Sequence, residues 1–322
     1  ECKACKKECP SGVDMAKIKY EFLHQYYKYN KIPLRSRLVG NISTLNKIGS
    51  KFPKLFNSII NSHLNRWIMD KIFSLDKRRT LPNIVKSNFN TSNTDNHELN
   101  QKTIIFFLDT FTKYNHPDVG YSALKILKSI GFNPMIIEMK CCGRPMISKG
   151  LLDQAEQNAT SIIKELSPYA RKGIKIVGVE PSCISAIKDD YPSLLKYSEE
   201  VTLVSENSML LQELLLEEKE KYKHKLNPLE GNIAIQIHCH ERAMKTSDSA
   251  TKVLKMIPDS NVTEIPSGCC GMAGSFGYEK EHFDISSKIA NERLIPFLNN
   301  MNPEDYVVTT GVSCRHQILD FT

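Results

Sequence analysis

Between Ser267 and Tyr278 the chain reads SGCCGMAGSFGY, which sets Cys269 and Cys270 side by side in a run where four of twelve residues are glycine. Adjacent thiols suit a polynuclear metal site. A vicinal disulfide closes a strained ring, whereas two neighbouring thiolates can each take a different metal atom of one cluster. The glycines allow tight turns and a close approach of backbone to an inorganic core. Cys239 in IQIHCHERA and Cys314 in TTGVSCRHQ bring the set to four thiolates.

The pattern occurs twice. KCCGRPMISKG supplies Cys141 and Cys142, preceded by IIFFLDTFT with Asp109 and followed by IVGVEPSCISA with Cys183. Between Asp109 and Cys141 lie 31 residues, and between Cys239 and Cys269 lie 29; the gaps after the pairs are 40 and 43. Matched spacing over this length argues for an internal duplication. The first copy, with Asp109 where the second has Cys239, is one thiolate short. Its fourth ligand would be Asp109, a water or nothing.

A third group opens the chain. In ECKACKKECPSGVDMAKIKYEF, Cys2, Cys5, Cys9 and Pro10 match the last three cysteines and the proline of CxxCxxCxxxCP, the ferredoxin-type signature for a cubane four-iron cluster. The first cysteine of that signature would fall two residues before Glu1, so the chain reads as a fragment of a longer protein. Zinc, which also accepts four thiolates, is the alternative metal.

The elements that must position these groups follow from hydrophobic patterning. Residues 14–79 are helix-like, with Ile18, Phe22 and Tyr26 recurring every four residues and Pro33 and Pro53 dividing the run. The polar stretch KSNFNTSNTDNHELNQ at 86–101 suits a linker. Thereafter short apolar runs alternate with helical patterns: IIFFLD, a helix over 122–130, PMIIEM, a helix over 151–166 and KIVGVE. The second copy repeats the order: IAIQIH, a helix over 242–256, a strand near 262–265, a helix over 285–298 and YVVTTG. Such alternation implies parallel sheets with right-handed crossovers, in which sites form at the carboxyl ends of strands. Each cysteine group falls there. The expected fold is α/β: a helical ferredoxin-type segment over 1–85, a linker over 86–101, and two Rossmann-like cysteine-rich domains over 102–228 and 229–322.

Composition bounds the function. Ten cysteines in CxxC and CC groupings, without a secretory pattern, read as metal ligands in a reducing, cytoplasmic setting. No run of about 20 apolar residues exists to span a membrane. Residues 1–80 hold 17 Lys and Arg against 6 Asp and Glu, while the remainder holds 26 against 30. The front is therefore strongly basic. That suits docking to an acidic partner domain, or peripheral contact with the anionic inner face of a membrane through Arg35, Arg37, Lys47, Lys51 and Lys54. No nucleic-acid recognition motif accompanies the charge.

CKACKKECPSGVDMAKIKYEF, CCGRPMISKGLLDQA, VEPSCISAIKDDYP, HCHERAM, SGCCGMAGSFGYEKEHFDIS and GVSCRHQI together resemble the iron–sulfur portion of FAD-linked 2-hydroxyacid dehydrogenases of the D-lactate and D-2-hydroxyglutarate type. They also resemble the iron–sulfur subunit of glycolate oxidase and the cysteine-rich subunit of heterodisulfide reductase. The resemblance runs from Cys2 to Ile318. It implies a ferredoxin-type domain followed by two CCG domains carrying 4Fe–4S clusters. Electrons would come from FAD in an upstream domain or partner and pass to a quinone or redox protein. On this reading Cys2, Cys5, Cys9, Cys239, Cys269, Cys270 and Cys314 are metal ligands, Cys141, Cys142, Cys183 and Asp109 a second candidate set, and no residue is catalytic on the hydroxyacid. No GxGxxG follows a strand, so a flavin or nicotinamide site is not expected here. A thiol–disulfide enzyme of the heterodisulfide reductase kind is the alternative. In that family a CxxC closes each motif, whereas Cys183 and Cys314 stand alone.

Overall fold

A computed structural model describes residues 2–91, 99–244, 246 and 248–322. The apolar run after the linker forms β1 (Thr103–Phe107), buried along its whole length. β2 (Asn133–Met135) and β3 (Ile176–Gly178) pair with it on either side, and β4 (Ser208–Leu210) extends the sheet beyond β3. Every pairing is parallel, with Ile105 opposite both Met135 and Ile176. The second sheet has β5 (Gly231–Gln236) between β6 (Ser260–Glu264) and β7 (Tyr306–Thr309), again parallel, with Ile235 opposite Glu264 and Val308. The shared order, second strand–first strand–third strand, shows the two copies to be the same α/β unit. A helical layer covers the first sheet through Leu152–Ala170, whose Ala155, Ala159, Ile162 and Leu166 are fully buried, as its spacing of threes and fours requires.

Several elements depart from the sequence expectation. PMIIEM is a strand only at its start, since β2 ends at Met135. β4 was not foreseen: three residues, SML, are too few to show a strand period. The helix expected over 242–256 is two, Cys239–Ala243 and Asp248–Leu254. The one expected over 285–298 is also two, Phe283–Glu292 and Leu294–Asn299. The second break has a plain cause, because Pro296 has no N–H for the Glu292 carbonyl and its ring crowds it. Part of the 86–101 stretch, residues 92–98, lies outside the described residues.

The N-terminal part is helical: Met15–Tyr27, Leu34–Gly40, Ile42–Gly49, Pro53–Asn61 and His63–Ile72, with Pro33 and Pro53 at helix starts. Its first stripe is inverted relative to expectation. Ile18, Phe22 and Tyr26 are exposed, whereas Ala16 and Tyr20 are buried, because the helix turns Tyr20 toward Asp190 of the first domain. These helices bear on both domains. Gly40 abuts Leu151. Arg79, fully buried, reaches the second domain, donating to the Gly277 carbonyl and the Ser286 hydroxyl at 2.7 Å each and pairing with Asp320 at 3.0 Å. Among the described residues no helix is long and apolar enough to cross a membrane.

Candidate metal centre

Every cysteine of the duplicated pattern lies just past the carboxyl end of a strand. Cys239 opens helix Cys239–Ala243 after β5, the Cys269–Cys270 pair follows β6, and Cys314 sits in the first turn of helix Val312–Phe321 after β7. In the first copy Cys141–Cys142 follow β2, and Cys183 sits in the first turn of Pro181–Ser185 after β3. Parallel sheets place these ends together, so residues up to 75 positions apart meet at one edge.

In the second set the thiols form a connected chain. The titrations of these thiols are linked: Cys270 to Cys269 and Cys314, and Cys2 to Cys239 and Cys269. Cys2 lies near the second set. Helix Ala4–Glu8 packs against Cys239–Ala243 to bring it there. Cys5 is exposed, and the Cys9 sulfur turns into the backbone amides of Val13, Ser11 and Gly12, which hold its thiol below the usual range. In the first set the Cys142 and Cys183 sulfurs are 3.0 Å apart and Cys141 donates to Cys142.

The first copy's counterpart of Cys239 needs correction. Asp109 is the N-cap of helix Thr110–Tyr114, its Oδ1 accepting from the Phe111 and Thr112 amides at 2.9 and 3.0 Å and its Oδ2 from the Thr112 hydroxyl. In the second copy that cap is His238, whose Nδ1 accepts from the His240 amide. Thr110, not Asp109, therefore occupies the place of Cys239, and its hydroxyl bonds the Cys141 sulfur. Burial, then the Glu180 charge, pushes the Asp109 carboxyl up to about 6, and both its oxygens are spent on the cap.

The backbone after each pair repeats too. Gly143 and Gly271 are left-handed, at φ 72° and 92°. This turns the amides of Gly143 and Arg144 onto Cys141 and Cys142, and those of Gly271 and Met272 onto Cys269 and Cys270. At Gly271 a Cβ would lie 2.4 Å from the Ser286 carbonyl oxygen. Amide donors to sulfur favour the thiolate and tune a bound cluster.

Electrostatics define what such a set can hold. Hydrogen bonds from Cys239 and Cys269 bring the Cys2 thiol down to about 3, and the donors are pushed above the usual thiol range by those same bonds and by burial. Cys183 accepts from Cys142, yet burial and the Asp109 and Glu180 charges raise it to about 12. Burial and neighbouring thiols disfavour ionising the whole set, a cost that a cation bound among the sulfurs would offset. Soft, buried, amide-lined sulfur is the donor chemistry of a thiophilic cluster. Nearby nitrogen ligands fit less well. His238 and His240 stack at 5.0 Å with burial holding both below the usual imidazole range, and the His238 Nδ1 is spent on its cap.

Two buried cations stand by. Lys3, fully buried, donates to Asp189 at 2.7 Å and Asp190 at 2.9 Å, and Arg144 pairs with the same Asp190 at 2.5 Å. One carboxylate thus ties the residue after Cys2 to the residue after Cys142–Gly143. Nothing in the sequence signals this clamp, whose partners are 187 positions apart. Glu180 caps Pro181–Ser185 and accepts the Val312 amide at 2.9 Å, joining the third-strand helices of the two domains. Beside the first set lies a cavity of about 190 Å³, lined by Cys141, Cys142 and Cys183 and roofed by Leu38, Val39 and Ile42.

A model of the cysteine-rich domain family named CCG matches residues 108–188 and 233–319, together more than half of the chain. An anaerobic glycerol-3-phosphate dehydrogenase subunit from Escherichia coli (strain K12) is 26% identical over 91% of this chain and 74% of its own length. D-2-hydroxyglutarate dehydrogenase from the same organism is 25% identical over 98% of this chain, which spans only 32% of that enzyme. An iron-sulfur protein of Methanocaldococcus jannaschii is 27% identical over 67% of this chain and 41% of its own length. With the CCG pattern placed twice at equivalent strand ends, the chain belongs to the CCG cysteine-rich domain family.

Proposed function

We propose that this chain is the iron–sulfur electron-transfer part of an FAD-linked dehydrogenase that oxidises a small hydroxy compound. The relatives named for D-2-hydroxyglutarate and glycerol 3-phosphate indicate the substrate class. The observation that supports it is that Cys239, Cys269, Cys270 and Cys314 all follow the carboxyl ends of the strands of one parallel sheet. These four thiols would hold a four-iron cluster. Cys141, Cys142 and Cys183 would hold a second centre, with Thr110 at its fourth corner. The ferredoxin-type segment, residues 1–85, marks where electrons arrive, and the CCG domains over 102–228 and 229–322 carry them on.

Bound clusters would supply one-electron carriers, able to divide the electron pair of a reduced flavin. The chain's own residues set the conditions. Amides of Gly143, Arg144, Gly271 and Met272 donate to sulfur, Lys3 and Arg144 offset negative charge, and fully buried Met272, Ile265 and Ala290 keep water away from the second set. The cavity against Cys141, Cys142 and Cys183, lined by Leu38, Val39 and Ile42 and also by Arg144, His238 and His240, could admit a small acceptor such as a quinone.

Anaerobic purification tests the reading. The expected product is a brown chain with iron and acid-labile sulfide that oxidises no hydroxyacid alone yet is reduced by a flavoprotein partner. Stoichiometric zinc, or robust hydroxyacid oxidation by the isolated chain, would overturn it.

A further inference from the structure

We infer that Tyr278, His316 and His116 form a proton relay serving the cavity beside the first cysteine set, with Tyr278 as the donor to a quinone-class acceptor held there. This rests on the electron-carrier reading and deepens it by giving the acceptor's class and the route of its protons.

The three side chains form a continuous hydrogen-bonded row. The Tyr278 hydroxyl lies 2.8 Å from His316 Nδ1, and His316 Nε2 lies 3.0 Å from His116 Nε2. The two imidazoles meet edge to face, their centroids 5.3 Å apart. The row crosses between the domains. Tyr278 ends the turn Phe276–Tyr278 and His316 lies on helix Val312–Phe321, both in the second domain, whereas His116 precedes helix Pro117–Ser129 in the first. The His116 side chain makes no cap bond to that helix, so capping does not account for its placement.

The ends of the row lie at different cavities. Tyr278 and His316 line the cavity of about 190 Å³ that also meets Cys141, Cys142 and Cys183, and His116 lines a second, of about 230 Å³, with Glu180 and Arg315. An independent feature marks the first cavity as a ligand site. His240, 6% exposed, lines it, and its Nε2 is buried with no hydrogen-bond partner among the described residues. Such an atom carries a desolvation cost that a carbonyl-bearing ligand would relieve.

Phenol and imidazole suit a relay because each can give a proton at one position while taking one at another. With His116 Nε2–H donating to His316 Nε2, His316 Nδ1–H donates to the Tyr278 oxygen and leaves the Tyr278 O–H for the cavity. Transfer breaks that O–H bond and forms one on an acceptor carbonyl oxygen. The His316 Nδ1 proton passes to Tyr278, the His116 Nε2 proton to His316 Nε2, and solvent protonates His116 at Nδ1. Each imidazole stays neutral and changes only its tautomer. Two electrons from the iron–sulfur centres and two such passes turn both carbonyls of the acceptor into hydroxyls, the starting tautomers returning between passes by exchange with solvent. An acceptor that takes electrons without protons has no use for the row, and this selects the quinone class.

The test uses the full chain, purified anaerobically and reduced with dithionite. It is mixed with menadione, which takes two electrons and two protons, or with ferricenium, which takes one electron and no proton. The ratio of the menadione rate to the ferricenium rate should fall about 100-fold in Tyr278→Phe and about tenfold in His116→Phe, each of which keeps a ring and loses only polar atoms. His316, two positions from Cys314, is left unsubstituted. In the wild type the menadione rate alone should slow in deuterium oxide. An unchanged ratio, or equal losses with both acceptors, overturns the relay. A second readout needs no turnover and no variant. In the oxidised chain with isotopically labelled histidine, the Nε2 nuclei of His116 and His316 should couple through their shared proton, and menadione should move both signals; absence of the coupling, or signals that menadione leaves in place, overturns the relay. A chain that takes up no iron overturns the electron-carrier reading itself, whereas one that takes up iron and reduces ferricenium but shows none of these effects removes only the relay.

Discussion

The glycine that closes each CCG triplet is needed for two reasons that the structure separates. Both Gly143 and Gly271 are left-handed, where an L side chain costs about 1 kcal/mol or more. Around Gly143, however, the nearest atoms to a Cβ belong to Ala155 at 3.5 Å and beyond, ordinary contact distances. At Gly271 the Ser286 carbonyl oxygen is 2.4 Å away and the Gln317 amide nitrogen 3.0 Å. Gly143→Ala should therefore cost about 1 kcal/mol, read as a lower melting temperature with iron content retained. Gly271→Ala should cost about 3 kcal/mol or more, since the Ser286 backbone must move as well, and should lose iron from the second set first. Equal losses for the two would refute the steric account. At this scale the candidate cysteines were legible because cysteine types and spacings survive as text. Thr110 was not, because a hydroxyl in a ligand's place looks like any other threonine, whereas the neighbouring Asp109 looks like a ligand and is a cap.

At the scale of elements, strand-end placement followed from alternation alone, whereas β4, only three residues long, and the helix break at Pro296 did not. The docking of the first helices was hidden for a different reason, since it rests on charges far apart in sequence. Burial alone would raise the Asp189 carboxyl, but the Lys3 ammonium, with Lys6 and Lys17, holds it well below the usual carboxylate range. Asp14 is lowered in the same way, mainly by Lys3. For a depressed carboxylate the stabilisation is fully present above its unfolded value, near pH 4, and is lost as pH falls from there toward the folded value. Hydrogen exchange over residues 2–27 should thus rise as the pH drops below about 4, before exchange rises in the sheets. Asp189→Asn should weaken docking at pH 7 by about 1–2 kcal/mol, discounted because Asp189 remains a quarter exposed. It should also shrink the acid-induced rise. An acid response in the variant as large as in the wild type would assign the docking to apolar contact instead.

For the whole molecule, charge and apolarity coincide on one part of the surface. Ile48, Phe52, Leu55, Ile59, Leu64, Trp67 and Ile72 are all exposed on the helices spanning 42–72, and Lys47, Lys51, Lys54 and Lys71 stand among them. Six large apolar side chains on three consecutive helices, with Phe52 between two of them, face solvent, and exposed apolar residues that gather in such numbers mark contact sites. The basic excess was legible in the sequence; that these apolar residues face outward was not, because helical spacing reads the same whether the stripe packs inward or is left open. Roughly 1 kcal/mol of attraction per basic residue near an anionic bilayer, added to burial of the apolar tips, favours an interfacial membrane contact. Trp67, 56% exposed and the sole tryptophan, reports on it directly. Vesicles rich in anionic lipid should shift its emission to the blue and cosediment with the chain. Neutral vesicles, or half-molar salt, should weaken both effects, and the pair Leu55→Glu and Ile59→Glu should abolish them while leaving iron content unchanged. If anionic vesicles leave Trp67 unmoved and the flavoprotein partner shifts it instead, the basic apolar face belongs to the electron donor, and the cavity under Leu38, Val39 and Ile42 would then be filled from the aqueous side.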